Sequence, residues 1–114
     1  MITATAGRSN VTVTSSVPVD LLNSGTEGVA IPRAFSWTLV VTTDQDVTVT
    51  VSVAAGMNCG AVPVSGWTAN ATSAAPYVLQ VSEYPALAVR VTAVAVSTTA
   101  TVSCDFLAQS SSVN

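Results

Sequence analysis

The sequence predicts an all-β protein: a single antiparallel β-sandwich, of jelly-roll or immunoglobulin-like type, with about six to eight short strands. Three observations predict it. Apolar and hydroxylated residues alternate with period two, most clearly in DVTVTVSVAAG (Asp46 to Gly56), where Val47, Val49, Val51 and Val53 share one face and Thr48, Thr50 and Ser52 the other. Gly, Pro, Asn and Asp punctuate such segments at short intervals. No stretch carries the 3.6-residue apolar period of an amphipathic helix. At 114 residues the chain is long enough for one core, so 1–114 is read as one domain.

Taken in order, MITATAGRSN has too little apolar content to order itself and is read as a loose arm over 1–9. Val11 and Val13, alternating with Thr12 and Thr14, start the first strand. DLLNSGTEGVAIP reads as a long loop with a helical turn at Asp20 to Asn23, because Asn23, Gly25, Gly28 and Pro32 break any period. RAFSWTLVVTT aligns Phe35, Trp37, Leu39 and Val41 on one face. TDQD, Thr43 to Asp46, supplies turn formers, so residues 33–54 are expected as one antiparallel hairpin. The Gly- and Pro-rich stretch that follows should be loop with a short strand near Ala61 to Val64, and YVLQVS resumes a strand after Pro76. ALAVRVTAVAV turns Leu87, Val89, Val91 and Ala93 inward, and Val94 and Val96 break that parity, which predicts a bulge or burial on both faces. TTATVSCDFLA sets Val102, Cys104 and Phe106 inward; 109–114 is a polar tail. The expected core is Phe35, Trp37, Leu39, Val41, Val49, Val51, Leu79, Val89, Val91, Val102 and Phe106.

Composition removes most chemistry. Only 8% of the residues are charged, against about a quarter in ordinary soluble proteins. The basic residues are Arg8, Arg33 and Arg90, and the net charge is −3, so phosphate backbones and anionic membranes are not expected partners. Thr and Ser interrupt every Val-rich run well short of the roughly 18–20 apolar residues of a membrane span. The first residues have neither the basic start nor the apolar run of a secretory signal. With no His or Lys, no Ser or Cys can be paired with the usual general base. The carboxylates Asp20, Glu27, Glu83 and Asp105 are the remaining material for a two-carboxylate glycosidase. Asp44 and Asp46 flank a turn that offers too few oxygens for Ca²⁺ and are expected to form it. The expectation is a chain that is not an enzyme, with no catalytic residue, metal or cofactor.

What remains is contact. Trp67 in SGWTAN and Tyr84 in SEYP fall in loops, where each either caps the core or offers an aromatic face to a sugar or a protein. Cys59 and Cys104 form a candidate disulfide; the roughly 45-residue loop between them would contribute about 4 kcal/mol. Thr48 and Thr50 head the hydroxyl-rich faces, which lack the Lys, Pro and inward charges that normally guard strand edges. Neighbouring copies or a host surface covering them is the simplest physical answer, because Thr and Ser hydrogen-bond without the desolvation cost of a buried charge.

In these features, the MITATAGRSN start, the Ala/Val/Thr/Ser-rich strands and the thin inventory of catalytic groups, the whole chain resembles the small β-sandwich accessory proteins of tailed bacteriophage virions, such as decoration (cement) proteins and head fibres. The resemblance implies a structural role on a capsid lattice, with homo-oligomers or the major capsid protein as partners and the virion, assembled in a host cytoplasm, as location. A carbohydrate-binding or adhesin-like module using Trp67 and Tyr84 is the alternative. An ice-binding protein, resembled through Thr12-Val13-Thr14 and Thr48-Val49-Thr50, is more remote because the chain has no fixed repeat period.

Overall fold

The computed structural model describes residues 3–22, 29–30, 35–55, 58–82 and 88–110. Among them the chain forms ten strands: β1 (Thr3–Val13), β2 (Val19–Asp20), β3 (Val29–Ala30), β4 (Phe35–Thr43), β5 (Val47–Ala54), β6 (Val62–Pro63), β7 (Ala69–Ala71), β8 (Tyr77–Val81), β9 (Ala88–Ala95) and β10 (Ala100–Ser110). The six longer ones are those that alternation marks in the sequence; the other four have two or three residues. One sheet runs β1-β10-β4-β8, and the other has β9 and β5 at its centre, β2 and β3 on the free side of β9, and β6 and β7 on the free side of β5. Every pairing is antiparallel. Counting β2 with β3 and β6 with β7 as single interrupted edges leaves eight strand positions, in which first pairs with last, second with seventh, third with sixth and fourth with fifth. That is a long hairpin rolled upon itself, so the sandwich is a jelly roll rather than an immunoglobulin-like one.

The inward residues of both sheets meet in one core. Trp37, Leu39, Val41, Val49, Val51, Val89, Val91, Val102 and Phe106 are buried as alternation requires, and Leu79, on edge strand β8, is half-buried against them. The expected core residue Phe35 lies outside the side chains described, as does Leu87. Leu21 and Leu22 add to the core from a segment read as loop. A two-residue strand ends at Asp20, whose carboxylate accepts the Leu22 N–H at 3.0 Å, and the Leu21 N–H still donates to the Val91 carbonyl at 2.9 Å. This Asx turn bends the chain so that both leucines face inward, in place of the expected helical turn.

The expected hairpin over 33–54 is not formed. β4 pairs with β10 and β8, β5 pairs with β9, and the two strands lie in opposite sheets. Their aliphatic faces meet across the core instead of side by side, which alternation alone permits equally well. The turn between them is an arch tied to the start of β10: the Thr101 N–H donates to the Asp44 carboxylate at 2.8 Å, and the Asp44 N–H donates to the Thr101 carbonyl at 3.3 Å. Asp44 therefore forms a turn, as expected.

Two further expectations change. Thr3 to Ser9, read as a loose arm, belongs to β1, and the expected tail at Gln109 and Ser110 is still strand. Backbone pairing with β10 from Thr3↔Gln109 to Arg8↔Cys104 orders a segment too poor in apolar side chains to order itself. Past Arg8 the register slips around Ser103: Asn10 takes φ 55°, which Asn tolerates, and its N–H donates to the Ser103 hydroxyl at 3.0 Å. β9 has no bulge. Its ladder with β5 is unbroken from Ala88 to Ala95; Ala95 continues the inward set, leaving Val94 half-buried and Val96 exposed on the outer side.

Candidate interaction surface

Thr48 and Thr50 sit in the middle of the second sheet on its outer face. Cross-strand pairing sets Thr48 between Val94 and Asn70, and Thr50 opposite Thr92. The Thr48 hydroxyl donates to the Asn70 side-chain oxygen at 3.0 Å, so part of the hydroxyl row is already engaged within the sheet. Both threonines are half-buried by these neighbours. Arg90, opposite Ser52 in the register, is the one charged side chain that the paired segment of β5 and β9 carries.

The outer face of the first sheet is more apolar than expected. Val78 on β8 and Leu107 on β10 are 58% and 40% exposed, and the register places Val40 of β4 beside Val78. Ser36, Thr38, Gln80, Ser82, Leu107 and Gln109 line a shallow hollow of about 260 Å³ at one end of that face. Sequence parity puts these residues outward, but which of them become neighbours depends on the strand order of the rolled hairpin, and that no local pattern reports.

Trp67 caps the core rather than standing free. Its ring packs edge-on to Trp37, with centroids 5.3 Å apart and planes at 88°, and Trp37 in turn packs on Phe106 at 5.5 Å. The loop that carries it is held at both sides: the Trp67 N–H donates to Val64 at 3.1 Å, and the Tyr77 hydroxyl donates to the Trp67 carbonyl at 2.7 Å. Burial pushes the Tyr77 phenol up from its ordinary pKa. The Trp37 ring N–H is buried without a hydrogen-bond acceptor among the described residues. Tyr84, the other aromatic singled out from the sequence, lies outside the described residues.

The expected disulfide is not formed. Cys104 is buried on the inward side of β10, Cys59 is exposed in the stretch after β5, and both thiols are free. Inward parity on a central strand and a position in an exposed loop do not put two sulfurs in one place, whatever loop length permits. Burial, together with the negative charges of Asp105 and Asp20, pushes the Cys104 thiol up to about 12. Of the carboxylates considered for a glycosidase, Asp20 caps its turn and Asp105 is exposed on the outer face of β10, whereas Glu27 and Glu83 lie outside the described residues. Among the described residues no three of His, Cys, Asp and Glu gather as a metal-binding group.

No protein-family model and no curated protein matches the chain. One solved structure is similar in fold, described as "Bacillus endospore appendages form a novel family of disulfide-linked pili". It is 12% identical, the match covers 97% of this chain and 88% of that one, and the TM-score is 0.55, which bears on the fold and not on the function.

Proposed function

We propose that this chain is a non-enzymatic structural subunit of an ordered protein assembly, in its most specific form a decoration protein on a bacteriophage capsid. The observation that carries the reading is the pair of outer sheet faces: Thr48, Thr50, Thr92 and Val94 on one, Val40, Val78, Thr38 and Leu107 on the other, with little charge on either. Such faces desolvate at low cost and hydrogen-bond at close range, which suits lattice contacts better than life as a monomer. Jelly rolls are common in capsid proteins, and equally in lectins, so the architecture permits the role without assigning it. A subunit of a pilus or fibre, the kind of assembly named for the similarly folded protein, is the second reading, and the same low-charge faces would serve its contacts. For the sugar-binding alternative, Trp67 packed on Trp37 is a weaker platform than a free loop aromatic.

Two measurements test the proposal. Co-sedimentation with assembled shells of a major capsid protein encoded in the same genome reads decoration. Electron microscopy of the chain alone, at concentrations up to roughly 1 mM, reads polymerisation. Shell binding supports the decoration role and fibres support the pilus role. A monomer that neither binds shells nor polymerises overturns both.

A further inference from the structure

A sandwich has four free edges, and here they are guarded very unequally. Among the described residues both edges of the second sheet are short: β2 and β3 contribute two residues each on one side, and β6 and β7 two and three on the other, with Pro63 in β6. Short edges of this kind template little. In the first sheet β8 is a five-residue edge introduced by Pro76. β1 is different. It runs eleven residues, holds no Pro, Lys, Asp or Glu, and among the described residues has β10 as its sole ladder partner. Its single charge, Arg8, points inward and donates to the Asp20 carbonyl of the opposite sheet at 2.9 Å, so it guards the bulged end of the edge and not Thr3 to Gly7. The bulge at Ser9 and Asn10 interrupts one end of the edge and leaves Thr3 to Arg8 in unbroken register.

We infer that β1 pairs antiparallel with β1 of a second copy of this chain, across a two-fold axis at Thr5, joining two four-stranded sheets into one. The inference rests on the assembly role proposed above and names its partner and its strand. The occupant follows from self-complementarity. A two-fold at Thr5 opposes Thr5 to its own mate, Ala6 to Ala4 and Gly7 to Thr3, so inward residues stay inward and both cores remain on one side of the joined sheet. Opposed Thr pairs are favourable in antiparallel ladders, small side chains let the backbones approach, and no charges are opposed because Arg8 lies beyond the last pair. A strand pair of five residues is about 17 Å long, short of the area that a permanent dimer buries, so the pairing is reversible and strengthens when other contacts of an assembly hold the copies together.

The test is sedimentation velocity on the full chain from roughly 10 µM to 1 mM, with melting temperature and amide exchange recorded beside it. Expected are a concentration-dependent dimer, slower exchange in β1 as the dimer forms, and at least a tenfold weaker dimer for Thr5→Lys at an unchanged melting temperature, because two lysines then face each other across the axis. Val78→Lys, on the β8 edge, should dimerise like the parent. The pairing is overturned by a Thr5→Lys variant that dimerises like the parent, by a dimer lost in Val78→Lys, or by a parent that is monomeric at the highest concentration. If the parent or Thr5→Lys still binds shells or polymerises in those cases, the assembly role stands without the β1 pair; if the parent does neither, both fail.

Discussion

The backbone of Gly7 lies against the carbonyl of Cys104 with φ 151°, a conformation that glycine alone adopts readily, and with no room for a Cβ atom. This contact is where β1 closes on β10. Gly60 and Gly66 also have positive φ, but among the described residues no atom outside their chain neighbours lies within 4 Å of where a Cβ would sit, so they separate backbone strain from close approach.

Gly7→Ala is expected to cost about 1–3 kcal/mol or more, because both the dihedral and the clash with main-chain atoms must be relieved by moving β1. Gly60→Ala should cost about 1 kcal/mol, for the dihedral alone. Thermal unfolding of the two variants checks the order; equal costs would mean that the β1–β10 approach is loose in solution.

The two thiols should differ sharply in reactivity. Cys59 is exposed and should react with a thiol reagent in the native state, whereas Cys104 should react only when the chain opens, since burial excludes the reagent and keeps the thiol protonated. A count of one reactive thiol in buffer and two in denaturant is expected. Two at once in buffer would contradict the burial of β10.

Cys104 also sets a pH dependence. Its folded pKa near 12 lies above the ordinary 9.0, so the unfolded chain ionises first, and stability is level below about pH 9 and falls between about 9 and 12. The slope from one such group is about 1.4 kcal/mol per pH unit. Tyr77, raised by burial, acts in the same direction above its ordinary 10.0. Cys104→Ala should flatten the alkaline limb of a denaturation series measured from pH 8 upward; an unchanged limb would assign it to other groups.

Trp37 is 2% exposed and joins Trp67 to Phe106. Trp37→Ala should cost about 3–5 kcal/mol. Trp37→Phe should cost clearly less, because it keeps most of the apolar volume and removes a buried N–H that has no acceptor among the described residues. Chemical denaturation of both variants decides; a Phe variant as unstable as the Ala variant would show that the ring N–H is bonded in solution.

The strands were legible because period-two alternation is a local property, and Trp37, Val49, Val91 and Phe106 went inward on that basis alone. Strand partnership was not legible. Alternation fixes which face of β4 is buried but not whether β5 lies beside it or across the core, and the tie that decides, Asp44 to Thr101, spans the sequence from 44 to 101. Leu21 and Leu22 were missed because an Asx turn at Asp20, not a period, aims them inward. The first half of β1, Thr3 to Ser9, was missed because its order comes from the ladder with β10, which is backbone chemistry that side-chain composition does not record. In the candidate surface the outward places of Thr48 and Thr50 were readable, while the packing of Trp67 on Trp37 needed the loop closed by Tyr77.

The Thr48 and Thr50 positions give the sharpest test of the outer face of the second sheet. Both are on the central strand β5, half-buried by neighbours rather than by the core, so their side chains can lengthen toward solvent. Replacing both with Lys removes the Thr48–Asn70 hydrogen bond, an exposed bond whose net loss is about 0.5–1.5 kcal/mol, and leaves the inward Val47, Val49 and Val51 untouched. The double variant should therefore melt within a few degrees of the parent. If this face packs against a neighbour, two unpaired ammonium groups must be desolvated there, and shell binding or polymerisation should weaken by at least tenfold. Melting temperature, co-sedimentation and particle size measured on one preparation separate the outcomes. Unchanged assembly at an unchanged melting temperature would make this face plain solvent-exposed sheet and move the lattice contact to the opposite face, around Val40, Val78 and Leu107.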